Sequence, residues 1–86
     1  MTSDQLRMAR ALLRLNQSEL AVFANVTANT IRSIENGNRG RPSVVKKLRV
    51  AFIERGVLFI DAFEPYHGAG VAMRWGVEAP AGAQEA

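Results

Sequence analysis

Between residues 3 and 55, four short runs place apolar side chains three or four positions apart, and the residues bounding them start or stop helices. In the first run, about residues 3–14, Leu6, Ala9, Leu12 and Leu13 form one face, with Arg7, Arg10 and Arg14 off its centre and Thr2 or Ser3 available as a cap. Asn16 followed by Glu19 has the form of a capping box and opens a helix over about residues 17–24, which buries Leu20, Ala21 and, at its margin, Phe23. Ala24-Asn25-Val26-Thr27 reads as a tight turn in which Asn25 tolerates a left-handed backbone. Thr27 caps a third helix over residues 28–36 with Ile31 and Ile34 inward, and Gly37 ends it. Ser43 is the expected cap of a fourth helix, about residues 44–55, with Val44, Leu48, Ala51 and Phe52 facing the core and Lys46, Lys47 and Arg49 largely outside.

From Gly56 the period changes. Val57 to Ile60 has strand character, and Val71, Met73 and Trp75 alternate with Ala72 and Arg74. Pro65 and Gly68-Ala69-Gly70 between them are loop signals, so two short antiparallel strands are expected. The run 76–86, rich in Ala, Gly, Glu and Gln, is expected to be a disordered tail. The predicted fold is mainly α: a four-helix domain over residues 1–55, a β-hairpin extension over 56–75, and the tail. With 86 residues the chain has material for one small core and not for two.

Several chemistries are excluded or disfavoured. There is no cysteine, so no disulfide or thiolate site can form. His67 is the single histidine, which rules out a multi-histidine metal site within one chain. No phosphate-binding glycine loop and no Ser/His/Asp arrangement is present, so no enzymatic activity and no cofactor are expected. Asp61, Glu64 and His67 cluster in sequence, and a solvated turn accounts for them more simply than a metal site. No apolar run approaches the roughly 20 residues of a bilayer-spanning helix. The start Met1-Thr2-Ser3-Asp4-Gln5 lacks the features of a secretion signal, which makes the cytoplasm the expected location and a membrane partner unexpected.

Charge is unevenly placed. Residues 1–55 carry ten Lys/Arg against four Asp/Glu, whereas residues 56–86 carry one against four. A basic N-terminal portion fits a polyanionic partner, although an ordinary basic surface has the same composition. The two short helices joined by a turn at residues 24–27 supply the sharper signal. That arrangement is a helix-turn-helix, and its second helix is of a size to enter a DNA major groove.

The run Ala9-Arg10, Asn16-Gln17-Ser18-Glu19-Leu20-Ala21, Val26-Thr27-Ala28-Asn29-Thr30-Ile31 and Ile34-Glu35-Asn36-Gly37 resembles the lambda-repressor-like, or Cro/XRE-type, helix-turn-helix family over about residues 4–54. The resemblance implies a four-helix bundle that binds double-stranded DNA and regulates transcription, with repression the simplest action for so small a protein. It implies that Thr27, Ala28, Asn29 and Ser33 face bases, with Arg32 beside them reaching a guanine or only a phosphate. By its own chemistry, Asn29 can donate and accept at adenine N7 and N6, and Thr27 and Ala28 can touch a thymine methyl. Ala28 departs from the polar residue frequent at its position. Gln17 is implied to bind phosphate and buttress the third helix. The loop from Asn36 to Arg41, with Arg39 and Arg41, is implied to lie along the sugar-phosphate backbone. Arg10 and Glu35 look like the family's internal salt bridge, the alternative for Arg10 being a phosphate contact.

One such helix reads only about four or five base pairs, too few to single out a site in a genome. A two-fold homodimer on a near-palindromic operator is therefore expected. Val57, Phe59, Val71, Met73 and Trp75 are the candidate interface, against the alternative that one strand face packs on helices 1 and 4 of a monomer. A rival function is an interaction module such as an antitoxin, which would bind a toxin and also regulate its own operon.

Overall fold

The computed structural model describes residues 1–60 and 68–73. Four helices, α1 (Ser3–Leu12), α2 (Gln17–Ala24), α3 (Ala28–Glu35) and α4 (Pro42–Glu54), precede two strands, β1 (Val57–Ile60) and β2 (Gly70–Met73). Trp75, the 76–86 segment and the Asp61, Glu64 and His67 cluster lie outside the described residues.

The helices begin where side chains can satisfy their free N–H groups. The Thr2 hydroxyl accepts from the Gln5 N–H at 3.0 Å, while the Gln5 carboxamide oxygen accepts from the Thr2 N–H at 2.9 Å. Asn16 and Glu19 cap α2 in the same reciprocal way, at 2.7 and 2.8 Å. The Thr27 hydroxyl accepts from the Thr30 N–H at 3.1 Å to open α3. In α4 the expectation fails: the helix starts at Pro42, with Arg41 at the cap position and no side-chain bond, and Ser43 already lies inside it. Pro42 loses no hydrogen bond at the first helical position, and its fixed φ is pre-set for the helix, so it outcompetes a serine cap one residue later.

The first three helices end alike. Arg14, Asn25 and Gly37 take left-handed backbones with φ of 56°, 58° and 99°. The following N–H then reaches back into the last turn: Leu15 to Arg10 O, Val26 to Ala21 O and Asn38 to Ser33 O, at 3.0–3.1 Å. These reversals keep the connections short and place α2 and α3 as a helix-turn-helix pair.

Leu6, Ala9, Leu20, Ile31, Leu48, Phe52 and Val57 have no exposed surface and form the centre of the core. Each large apolar side chain among them contributes about 1.5–3 kcal/mol of transfer free energy. Leu12, expected on the inner face of α1, is 41% exposed, and Gln5 takes an inward place instead.

β1 and β2 pair antiparallel, with Val57 opposite Met73 and Phe59 opposite Val71. Directly opposed residues share a face, so these four lie on one side and Leu58, Ile60 and Ala72 on the other. The first side meets the helices. Val57 is fully buried, and Phe59 and Val71 pack against the core. The Phe59 ring stands edge-on to Phe52 at 6.0 Å, and the Arg49 guanidinium lies 4.9 Å from its centre. Val57, Phe59 and Val71 therefore attach the hairpin to its own protomer. The strand face expected at a dimer interface thus packs, through these three residues, on the helices of its own protomer. Met73, at the strand end, remains 38% exposed, as does Leu58 on the opposite side at 42%.

Candidate nucleic-acid interface

Glu35, in the last turn of α3, is a carboxylate with only 4% of its surface exposed. Arg10 donates from Nε to its Oε2 at 2.8 Å and from Nη2 to its Oε1 at 3.1 Å, and Gln17 donates from Nε2 to the same Oε1 at 3.0 Å. Burial pushes the Glu35 carboxyl up. The hydrogen bonds from Arg10 and Gln17, with the charges of Arg10 and Arg7, outweigh it and hold the group below its ordinary value. The bond to Glu35 raises the Arg10 pKa against the opposing effect of burial, so the pair stays ionised. The backbone at the same helix end is also satisfied. Ser3 Oγ donates to Ile34 O at 2.8 Å, and an Arg7 guanidinium nitrogen donates to Glu35 O. Such carbonyls have no partner within the helix, and positive charge is favourable beside them. Side chains of α1 and α2 thus clamp the C-terminal end of α3.

Held in this way, α3 turns a polar flank outward. Thr27, Asn29 and Arg32 are exposed, and Ser33 is half-buried. The Arg32 Nη1 donates to Asn29 Oδ1 at 2.7 Å. Ser33 Oγ accepts from Asn38 Nδ2 at 3.1 Å. The Thr27 hydroxyl is committed to its cap and to the Thr30 hydroxyl at 2.8 Å. Ala28 is half-buried and packs against the core.

The loop after α3 lies beside this flank. Asn29, Thr30 and Ser33 share an open groove with Arg39, Gly40, Arg41 and Val44. Gly40 brings the loop close: a Cβ there would stand 2.7 Å from Ile34 Cδ1 and 3.2 Å from Val45 Cγ2. Arg39 and Arg41 are both exposed on either side of it. Asn36 is exposed at the end of α3, with its N–H bonded to Arg32 O at 3.0 Å.

The fold therefore gathers Asn29, Ser33, Arg39 and Arg41 about one groove, with Arg32 bonded to Asn29 beside it. Gln17 sits at the start of α2 with its amide nitrogen turned to Glu35, which is the buttressing part of the role implied for it. In the sequence Gln5 and Asn38 drew no role, Ser3 stood only as a possible cap, and Arg7 only as a residue off the apolar face. For Gln5 a signal existed, because Thr2 and Gln5 stand at capping-box spacing. For the others the partner is a backbone carbonyl or a neighbouring loop hydroxyl, and no spacing rule marks such contacts.

The geometry agrees with comparison to known proteins. A helix-turn-helix family model matches residues 6–52, more than half of the chain. The chain belongs to the Cro/XRE-type helix-turn-helix family. Over 47 residues it is 44% identical to the protein named Uncharacterized HTH-type transcriptional regulator RghRB of Bacillus subtilis (strain 168). That stretch is 52% of this chain and 34% of the relative, so the chain spans about a third of that relative's length.

Proposed function

We propose that this chain is a sequence-specific double-stranded DNA-binding transcriptional regulator, acting as a homodimeric repressor on a near-palindromic operator. The observation that carries the proposal is the outward polar flank of α3, with Asn29 and Arg32 exposed, Ser33 half-buried next to them, and Arg39 and Arg41 beside the flank. In this reading α3 enters the major groove and presents Thr27, Ala28, Asn29, Arg32 and Ser33 to base edges. Gln17, Asn36, Arg39 and Arg41 meet phosphates on either side.

The two halves of the proposal separate experimentally through salt. Phosphate contacts release condensed counterions, so affinity falls linearly with salt on logarithmic axes. Arg41→Ala is expected to weaken binding to every duplex sequence and to reduce the salt slope by about 1. Fluorescence anisotropy over a salt series measures both. An unchanged slope removes Arg41 from the backbone contacts, and an absence of salt-dependent binding by the parent protein removes DNA as the partner.

A further inference from the structure

We infer that Asn29 and Arg32 act as one unit that presents mainly hydrogen-bond donors to the major groove, and that this unit reads guanine. The inference rests on the DNA-binding reading above and names the base class that the site selects.

The two residues are neighbours one turn apart on α3, and the Arg32 Nη1 lies 2.7 Å from the Asn29 carboxamide oxygen. A guanidinium has donors and no acceptor, so the atom facing it must be the oxygen. The amide is oriented by chemistry, with Oδ1 held by Arg32 and both Nδ2 hydrogens left for another partner. Among the described residues the salt bridges are Arg7–Asp4 and Arg10–Glu35, so no carboxylate claims the remaining N–H groups of Arg32. Ser33 extends the pattern. Its oxygen accepts from Asn38, which directs its hydroxyl hydrogen elsewhere.

Guanine is the base whose major-groove edge sets two acceptors, N7 and O6, side by side. Adenine sets the acceptor N7 beside the donor N6, and cytosine presents the donor N4. To read adenine with both atoms, Asn29 would have to share its oxygen between Arg32 and the adenine amino group, which brings the N6 donor up against the guanidinium N–H groups. Reading guanine leaves the Arg32–Asn29 bond in place. On this inference Asn29 turns to guanine rather than adenine, and Arg32 to a base rather than a phosphate.

The test starts from duplexes selected from a random pool by the full chain. The base pair most sensitive to Arg32→Ala is identified first; both residues are exposed, so the fold is expected to persist, as circular dichroism checks. The inference expects guanine there, and replacing it by 7-deazaguanine, which lacks the N7 acceptor but still pairs, is expected to weaken binding about fivefold or more. Arg32→Ala frees the Asn29 oxygen, so the variant is expected to bind adenine at that position at least as well as guanine. Binding with adenine preferred by the parent, indifference to 7-deazaguanine, or an equal loss on all sequences in Arg32→Ala would each overturn the inference while leaving DNA binding standing. A parent protein that selects no duplex would overturn the DNA-binding reading itself.

Discussion

Glu35 is where the placement of α3 is decided. A carboxylate this buried is tolerable only because Arg10 and Gln17 saturate it. Removing the cation leaves the anion buried without its counter-charge, and the cost exceeds what the intact pair contributes. Arg10 is itself partly exposed, which lowers the figure from the fully buried case. Arg10→Ala is expected to cost about 2–3 kcal/mol in urea unfolding near neutral pH. The pH dependence has a defined sign. The folded carboxyl titrates below its unfolded value of about 4.3, so its stabilisation is complete above that value and is lost as pH falls through the folded one. The gap between parent and Arg10→Ala should therefore narrow on acidification. A gap that stays constant would show that Glu35 does not respond to Arg10. The positive φ of Arg14 is a second feature at this scale: a non-glycine residue carries the strain that lets α1 turn into α2.

Among the elements, α1 holds two things at once. Ser3, Arg7 and Arg10 grip the end of α3, while Gln5 donates from Nε2 to Ile60 O at 2.9 Å and to Gly70 O at 3.1 Å, where β1 ends and β2 begins. Gln5→Leu keeps the volume but leaves those part-buried carbonyls and the Thr2 N–H without the amide. The expected loss is about 2–3 kcal/mol, with faster hydrogen exchange in β1 and β2 than in α2. Exchange that rises uniformly across the chain would count against a tie local to the hairpin. The four helices were legible from their apolar period, and at α1, α2 and α3 the cap agreed with it, as at Asn16 and Thr27. The start of α4 was not, because Ser43 and Pro42 are both valid signals and only their competition decides. The strand pairing was legible too, but the inward face was not. A period of two says that Val57, Phe59 and Val71 lie together; whether that side meets helices or another chain depends on where α4 delivers the strand. At the site, the residue types on α3 were legible from the helix period. The Asn29–Arg32 and Ser33–Asn38 bonds were not, since they depend on rotamers and on the path of the loop.

At the scale of the molecule, the exposed side chains among the described residues hold two chemistries. One is the basic, polar flank of α3 and its loop. The other is apolar: Leu12, Val22, Val50, Ile53, Leu58 and Met73 are exposed, with Leu58 and Met73 on opposite sides of the hairpin. With Val57, Phe59 and Val71 used inside the protomer, Leu58 and Met73 become the hairpin residues through which the proposed dimer would form. Leu58→Asp is expected to leave the fold intact, because the side chain faces out, and to shift sedimentation toward monomer. A full dimer in that variant would move the interface elsewhere. Loss of the dimer should also cost operator affinity, since two recognition helices then no longer bind as a unit. The claim on which the rest depends is that the outward flank of α3 reads bases. It is tested most directly by titrating Asn29→Ala against a selected site and a scrambled duplex at one salt concentration. A loss of about 1–3 kcal/mol is expected on the selected site with little change on the scrambled one; equal losses on both, or none on either, would show that the flank does not read bases.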